Sequence, residues 1–152
     1  MKIDPFEKLA MIGGGVLLAI FLLAIIYANF DLSIKIPTCE INTKPFTSGA
    51  VIETSPKSYE VHVVARMWFF DFGENQNEIT ISTGSRVTFF LTSADVIHGF
   101  KIINKDINMM AMLGVIGRLE TTFDKPGEYL IVCHEYCGIG HQGMYGKIKV
   151  TE

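Results

Sequence analysis

The stretch that decides the fold runs from residue 128 to residue 151 and reads EYLIVCHEYCGIGHQGMYGKIKVT. Its two ends, EYLIVC and YGKIKV, alternate in the way that is typical of β-strands, whose successive side chains point to opposite faces. Ile131 and Cys133 share one face of the first run, and Ile148 and Val150 share one face of the second. We therefore predict two adjacent strands joined by the loop CHEYCGIGHQGM.

This loop is rich in soft metal ligands, namely Cys133, Cys137, His141 and Met144. A disulfide between the two cysteines is one alternative, but it would close a tiny ring and leave the histidine and methionine without a role. A structural zinc site is another, because Cys-x3-Cys-x3-His resembles zinc-ligand spacing, although methionine is not a usual zinc ligand. Thiolate, imidazole and thioether together favour copper.

A further candidate ligand is His98, in the earlier segment SADVIHGF. One cysteine, two histidines and one methionine would make a mononuclear copper site. The loop, however, has a second cysteine four positions after the first. Two thiolates can bridge two metals, each of which then needs one imidazole. His98 and His141 supply that pair, so the residues could hold two metal ions as well as one.

The segments around the loop predict an all-β domain. Short runs rich in Val, Ile, Phe, Thr and Tyr follow one another from Tyr59 to the end of the chain, with turn signals at residues 83–85 and 125–127. Such spacing is typical of a β-sandwich or barrel, with Greek-key connections as the expected topology. Residues 31–58 contain three prolines and no sustained period, which predicts a linker, and 59–152 form the domain.

Residues 9–30 contain no charge and are long enough, at about 1.5 Å per residue, to cross a bilayer as a helix. A buried core helix is disfavoured because every face is apolar, and a cleaved signal peptide because the run is long and the cleavage site poor. Lys2 and Lys8 precede the run, which predicts that residues 1–8 are cytoplasmic and the domain external, periplasmic in a bacterium. A balance of 13 basic and 16 acidic residues argues against nucleic acid as a partner.

The ligand pattern resembles that of a known family, subunit II of the haem-copper oxygen reductases, the cytochrome c oxidases. The family pattern is Cys-x-Glu-x-Cys-Gly-x-x-His-x-x-Met with a remote Asp-Val-x-His, and each ligand position is filled here. The resemblance implies a Greek-key cupredoxin domain behind one transmembrane helix. A single helix is similar to the compact B branch of the family and implies the cell membrane of a bacterium or archaeon.

The resemblance also implies the role of each residue in a dinuclear copper centre, called CuA. The thiolates of Cys133 and Cys137 would bridge the two copper ions, and His98 and His141 would bind one ion each. The thioether of Met144 would be a weak axial ligand to one ion, and the backbone carbonyl of Glu135 would bind the other. The Glu135 side chain would help to bind magnesium at the contact with subunit I. The aromatic run Trp68, Phe69 and Phe70 would receive the electrons.

The implied function is that of the electron-accepting subunit of an enzyme complex. The chain would take electrons from a soluble cytochrome c and pass them to haem in subunit I, where oxygen is reduced, with no haem of its own. Two alternatives stay open: an anchored CuA electron shuttle that serves another acceptor, and a copper chaperone. His62 and His134 are expected to be surface groups, or groups that contact the ligands, rather than ligands themselves. The cluster Met109, Met110 and Met112 is expected to be adaptable packing, and Cys39 to be a free thiol.

Overall fold

The computed structural model describes residues 4–30, 37–41 and 44–152. Residues 1–3 of the predicted cytoplasmic segment, and residues 31–36 and 42–43 of the predicted linker, lie outside the described residues. The chain divides into two compact units, Met1–Lys35 and Ile36–Glu152. Each is described by itself.

In the first unit, the described residues contain one helix, α1, which spans Pro5–Phe30. The carboxylate of Asp4 accepts a 2.8 Å hydrogen bond from the Phe6 N–H. Proline occupies the first helical position, where its missing N–H costs nothing. The helix therefore begins four residues before the predicted residue 9, none of its residues is buried, and it is long and apolar enough to cross a membrane.

The described residues of the second unit form eleven strands arranged in two sheets. In chain order they are β1 (Thr38–Ile41), β2 (Ala50–Ser55), β3 (Ser58–Arg66), β4 (Phe69–Asp71), β5 (Glu78–Ser82), β6 (Ser85–Ser93), β7 (His98–Ile102), β8 (Ile107–Ala111), β9 (Val115–Phe123), β10 (Gly127–Val132) and β11 (Tyr145–Thr151). One sheet has the order β1-β9-β6-β3-β2, with β4 paired to β3, and the other the order β5-β11-β10-β7-β8. The prediction of an all-β sandwich preceded by one apolar helix is confirmed.

Aromatic and branched side chains from both sheets form the core. Phe89 of β6 and Phe100 of β7 belong to different sheets, and their ring centroids lie 5.6 Å apart. Phe70 packs edge-on against Phe100 at 5.3 Å. These three rings and Ile131 are fully buried, so the strands that carry the metal-ligand loop are anchored in a dry, close-packed interior.

The strands that flank the loop pair as the alternation predicts. β10 and β11 are antiparallel, with Tyr129 opposite Ile148 and Ile131 opposite Gly146. β11 also pairs in parallel with β5, and β10 pairs with β7. Both ends of the loop therefore leave central strands of a five-stranded sheet rather than its edges.

Two strands lie inside the range 31–58 that the sequence predicts to be a linker. β1 pairs with β9, and β2 pairs with β3. The domain therefore begins before Tyr59. Pattern alone misses these strands because β1 has four residues and β2 is exposed over five of its six residues, which leaves no alternation of buried and polar positions.

Neighbouring residues of β10 offer a test of the register. Ile131 is fully buried, whereas Leu130 is 42% exposed. We expect Ile131→Ala to lower the free energy of unfolding by about 2–5 kcal/mol, because it removes buried methyl groups and leaves a cavity. Leu130→Ala, the matched control, is expected to cost less than about 1 kcal/mol. Urea denaturation of both variants measures the difference, and equal losses would contradict the register.

Candidate metal centre

A ligand-bearing loop connects β10 to β11 and is closed at its base by the backbone. The N–H of Cys133 donates a 3.2 Å hydrogen bond to the carbonyl of Met144. Inside the loop, the N–H of His141 donates to the carbonyl of Gly138 at 3.1 Å, and His141–Gly143 form one turn of 3-10 helix. Gly138 has φ of 109°, a conformation that side chains disfavour. The loop is thus a folded unit on a rigid base.

Two thiols face each other within this loop. The Sγ atoms of Cys133 and Cys137 lie 3.7 Å apart, and both residues are buried. This separation is well beyond the roughly 2.05 Å of a disulfide bond, and both cysteines are free. The Cys133 thiol donates to the backbone carbonyl of Glu135 at 3.2 Å, so that carbonyl also points towards the sulfur pair.

The two candidate histidines reach the thiols from different elements. His98, the first residue of β7, is fully buried, and a ligand atom of its ring lies within 4.8 Å of both sulfur atoms. Its Nε2 is 2.7 Å from the carboxylate of Asp95, while its Nδ1 has no hydrogen-bond partner among the described residues. His141, from the loop itself, brings its Nδ1 within 3.7 Å of the Cys137 sulfur.

The fifth side chain is Met144, whose sulfur lies 3.8 Å from that of Cys137. Met144 is buried, so the thioether faces the cluster rather than solvent. A fully buried imidazole nitrogen without a partner is costly unless something binds it. That nitrogen, two thiols and a thioether make a donor set that fits copper, and the site has the chemistry of a buried soft-metal centre.

The protonation of the cluster follows from its surroundings. Burial, and then the neighbouring Cys133, raise the pKa of the Cys137 thiol to about 11. Without a metal the thiol therefore keeps its proton at neutral pH, and a bound cation must displace that proton. Burial alone would raise the pKa of Asp95, but hydrogen bonds from His98 and from the N–H groups of Met67 and Val96 outweigh it and lower that pKa. Asp95 is thus an anion that orients His98.

The three aromatic residues predicted to receive electrons lie in different environments. Trp68 is 42% exposed, and its indole N–H donates to the carbonyl of Cys137 at 3.1 Å. Phe69 is half-buried beneath the guanidinium of Arg66. Phe70 is fully buried in the core, so an approaching partner cannot touch it. Of the three, Trp68 is the residue that both donates a hydrogen bond to the loop and reaches the surface.

The remaining histidines and acidic groups lie outside the cluster. The half-exposed carboxylate of Glu135 is 3.8 Å from a ring nitrogen of His134. His62 packs between Phe46 and Phe90, with centroids 4.8 and 5.2 Å away. Two features that support the ligands are not among those predicted from the sequence. One is Asp95, which bonds to the His98 ring, and the other is the pair of glycines, Gly138 and Gly140, that lie against Trp68. The Asp-Val-x-His spacing could have indicated the first, since the carboxylate lies three residues before the histidine.

Comparisons with known proteins agree with this geometry. The family model of the cytochrome c oxidase subunit II periplasmic domain matches residues 60–151. Two cytochrome c oxidase subunit 2 proteins of Thermus thermophilus are each 44% identical over 103 residues, or 68% of this chain. The matched region covers 73% of one relative and 59% of the other.

Solved structures give the same result. A chain of a heme-copper terminal oxidase dimer, determined by cryo-electron microscopy, is 46% identical, with a TM-score of 0.82 over 95% of this chain and 98% of that chain. The periplasmic domain of subunit II of the cytochrome oxidase of Bradyrhizobium japonicum is 19% identical, with a TM-score of 0.56 over 71% of this chain and 87% of that one. The second likeness shows the fold alone.

Fold and site together define a cupredoxin-like sandwich with a soft-metal loop, in a chain that fits a single-pass membrane protein. The chain belongs to the cytochrome c oxidase subunit II family. As such it is a subunit of an oxidoreductase complex of the heme-copper terminal oxidase type. The family resemblance noted in the sequence is confirmed.

Glycines of the loop provide a test of its packing. A Cβ added at Gly140 would lie 2.3 Å from the Trp68 ring, whereas one at Gly143 would meet nothing within 4 Å. We expect Gly140→Ala to displace Trp68 and to change the emission of this single tryptophan. Gly143→Ala, the matched control, should leave the emission unchanged. Fluorescence spectra compare the two variants, and identical spectra for Gly140→Ala and the parent would contradict the packing.

Proposed function

We propose that the loop holds a dinuclear copper centre of the CuA type. Cys133 and Cys137 would supply the two bridging thiolates, and His98 and His141 would supply one imidazole for each ion. Met144 would add a thioether, and Glu135 would add its backbone carbonyl. Copper supplies one-electron redox chemistry when bound there. The chain supplies the ligands, their burial and the hydrogen bonds that orient them.

One observation carries this proposal, namely that buried His98, whose Nδ1 has no hydrogen-bond partner among the described residues, brings a ring nitrogen within 4.8 Å of two thiols held 3.7 Å apart. Two sulfur atoms at that distance are suited to sharing metals between them. A mononuclear site would use one of the thiols and leave the other buried and protonated. The family to which the chain belongs supports the dinuclear choice.

The chain's residues suit electron transfer rather than bond chemistry. The two sulfur atoms are buried, and side chains from the loop and from β7 approach them from several directions. Among the described residues this arrangement leaves little space for a substrate. Ligands held by paired strands change position little when charge arrives or leaves. Asp95, kept ionised by its hydrogen bonds, fixes the ring of His98 and offsets positive charge at the centre.

We further propose that electrons arrive from a soluble cytochrome c and pass to haem in subunit I, where oxygen is reduced. Trp68 supports this route because its indole joins the exposed surface to the backbone of Cys137. Tyr136 and Ile139, which are 78% and 85% exposed on the same loop, give the surface an apolar character suited to docking. The half-exposed carboxylate of Glu135 is available for magnesium at the contact with subunit I.

In this proposal the domain lies on the periplasmic or outer face of a bacterial or archaeal cell membrane, and the N-terminus is cytoplasmic. The alternatives, an anchored shuttle for another acceptor and a copper chaperone, are not favoured, because the relatives are oxidase subunits. Purification of the native complex tests the choice. Haem and subunit I should co-purify with the chain, and the complex should oxidise cytochrome c; isolation of the chain without haem would contradict the proposal.

The bridging role of the cysteines predicts a copper stoichiometry. The full chain in detergent, loaded with copper and washed with a Cu(I) chelator, should retain two ions. Its paramagnetic resonance spectrum should show hyperfine structure from two equivalent nuclei. Cys133→Ser should lose that pattern and at least one ion, because serine cannot bridge soft metals.

The matched control for that experiment is Cys39→Ser, which removes an exposed free thiol outside the loop. It should retain both ions and the parental spectrum. Circular dichroism should show that both serine variants stay folded, since aromatic and branched side chains form most of the core. A single retained copper in the parent would overturn the dinuclear proposal.

The axial role of Met144 gives a separate prediction. Met144→Leu keeps the size and apolarity of a buried side chain, so stability should change by less than about 1.5 kcal/mol. Both copper ions should stay. The reduction potential should rise, because the more oxidised form loses more when a donor is removed.

Spectroelectrochemistry of the washed, copper-loaded chain measures that potential. Met11→Leu, an exposed methionine of α1, is the control and should keep the parental value. An unchanged potential in Met144→Leu, or the loss of both ions, would show that Met144 has another role.

A further inference from the structure

A second group of soft ligands lies around a cavity of about 330 Å³, and all of them except His134 come from outside the loop. The residues that line the cavity include one cysteine, three methionines and one histidine: Cys39, Met109, Met110, Met112 and His134. The copper loop uses none of these side chains as ligands. Four sulfur-containing side chains and one histidine therefore lie around one cavity.

Strand pairing brings these residues together from opposite edges of the sandwich. Cys39 lies on β1, at the edge of one sheet, and Met109 and Met110 lie on β8, at the edge of the other. The cavity therefore occupies the open side of the sandwich, where the two edge strands approach each other. Met112 follows β8, and its backbone carbonyl accepts hydrogen bonds from Ser93 and Val115, which fix its position.

Two glycines leave room around the cavity. Gly117 is the register partner of Cys39, and a Cβ there would lie 3.2 Å from the terminal methyl of Met109. Gly99 is the register partner of Met110, and a Cβ there would come within 2.5 Å of the His134 ring. The imidazole thus lies against the backbone of β7.

The methionines differ in exposure. Met109 is buried in the core, as the prediction of adaptable packing expects, whereas Met110 is 41% exposed and Met112 half-buried. Cys39 is exposed and free. The thiol and two of the thioethers are therefore accessible to an ion from solvent, which packing alone does not explain.

The chemistry of this set selects a soft monovalent cation. One thiolate and neutral thioethers balance a single positive charge, and thioethers are poor ligands for hard cations and for zinc. Among the described residues that line the cavity, the other polar side chain is the amide of Asn108. Cu(I) is the cation that this combination favours.

We propose that Cys39, Met110 and Met112 form a Cu(I)-binding site, separate from the loop, that receives copper on its way to the loop. The ion displaces the thiol proton to solvent and stays Cu(I), so no oxidant or reductant takes part. His134 lines the cavity and belongs to the loop that carries the copper ligands, so the ion would enter the loop from this side by ligand exchange. This transfer role rests on the proposed copper centre, whereas binding at the cavity does not.

Titration of the full chain in detergent with Cu(I) under anaerobic conditions tests the binding, with a competing Cu(I) chelator weaker than the one that washes the chain down to its two loop ions. We expect the parent to bind three equivalents and Cys39→Ser to bind two. Met112→Leu, which keeps the volume of the side chain, should weaken the third equivalent. Met11→Leu, which removes a thioether far from the cavity in sequence, should bind as the parent does.

Equal numbers of equivalents in the parent and in Cys39→Ser would overturn the site, whether that number is two or three. If the Cys39-dependent equivalent is present but the loop holds fewer than two ions, the proposed dinuclear centre fails while the cavity site stands.

For the transfer role, copper-free chains are mixed with a limiting Cu(I)–chelator complex. Cys39→Ser should then fill the loop more slowly yet reach the parental final content, and equal filling rates would overturn that role.

Discussion

The hydrogen bond from the Cys133 N–H to the Met144 carbonyl is the contact on which the site depends. It extends the ladder of β10 and β11 by one step beyond their last paired residues, Val132 and Tyr145. The first and last ligands of the loop are thereby held to the sheet, and the residues between them must bulge outwards as one closed loop. Because the strands are central and anchored in the core, the positions of the sulfur atoms are set by the whole sandwich.

The loop also requires support from outside its own segment. Trp68, on the turn between β3 and β4, packs against Gly140 and bonds to the carbonyl of Cys137. His98 comes from β7 and is oriented by Asp95, which in turn accepts a hydrogen bond from the Met67 N–H at 2.7 Å. The turn before β4 and the segment before β7 are therefore coupled through one carboxylate. Their ligands and supports belong to different strands, so the centre can exist only in the folded domain.

The sequence predicts some of these features and not others, for physical reasons. The alternation around Ile131 and Ile148 predicts the two strands, since one face of each is buried. The soft ligands predict the site because their spacing leaves few other roles. Exposed β2 has no buried face, so its pairing with β3 is invisible to a pattern. The contact between Trp68 and Gly140 depends on tertiary approach across 72 positions, which no local rule contains. The run Trp68, Phe69 and Phe70 shows the same limit, because its uniform aromatic composition cannot identify which ring reaches the surface and which joins the core.

The two groups of soft ligands differ in accessibility, and this difference explains why a chain would carry both. In the loop, both thiols are buried, and burial raises the pKa of Cys137 to about 11. An ion that enters must displace a tightly held proton and pass through a closed shell of side chains. Cys39 is exposed and lies beside a cavity open to solvent. The features that make the loop a rigid, dry place for electron transfer therefore make it slow to load. In the proposed cavity site, the exposed thiol of Cys39 would capture the ion at the surface, and ligand exchange would then carry it into the loop.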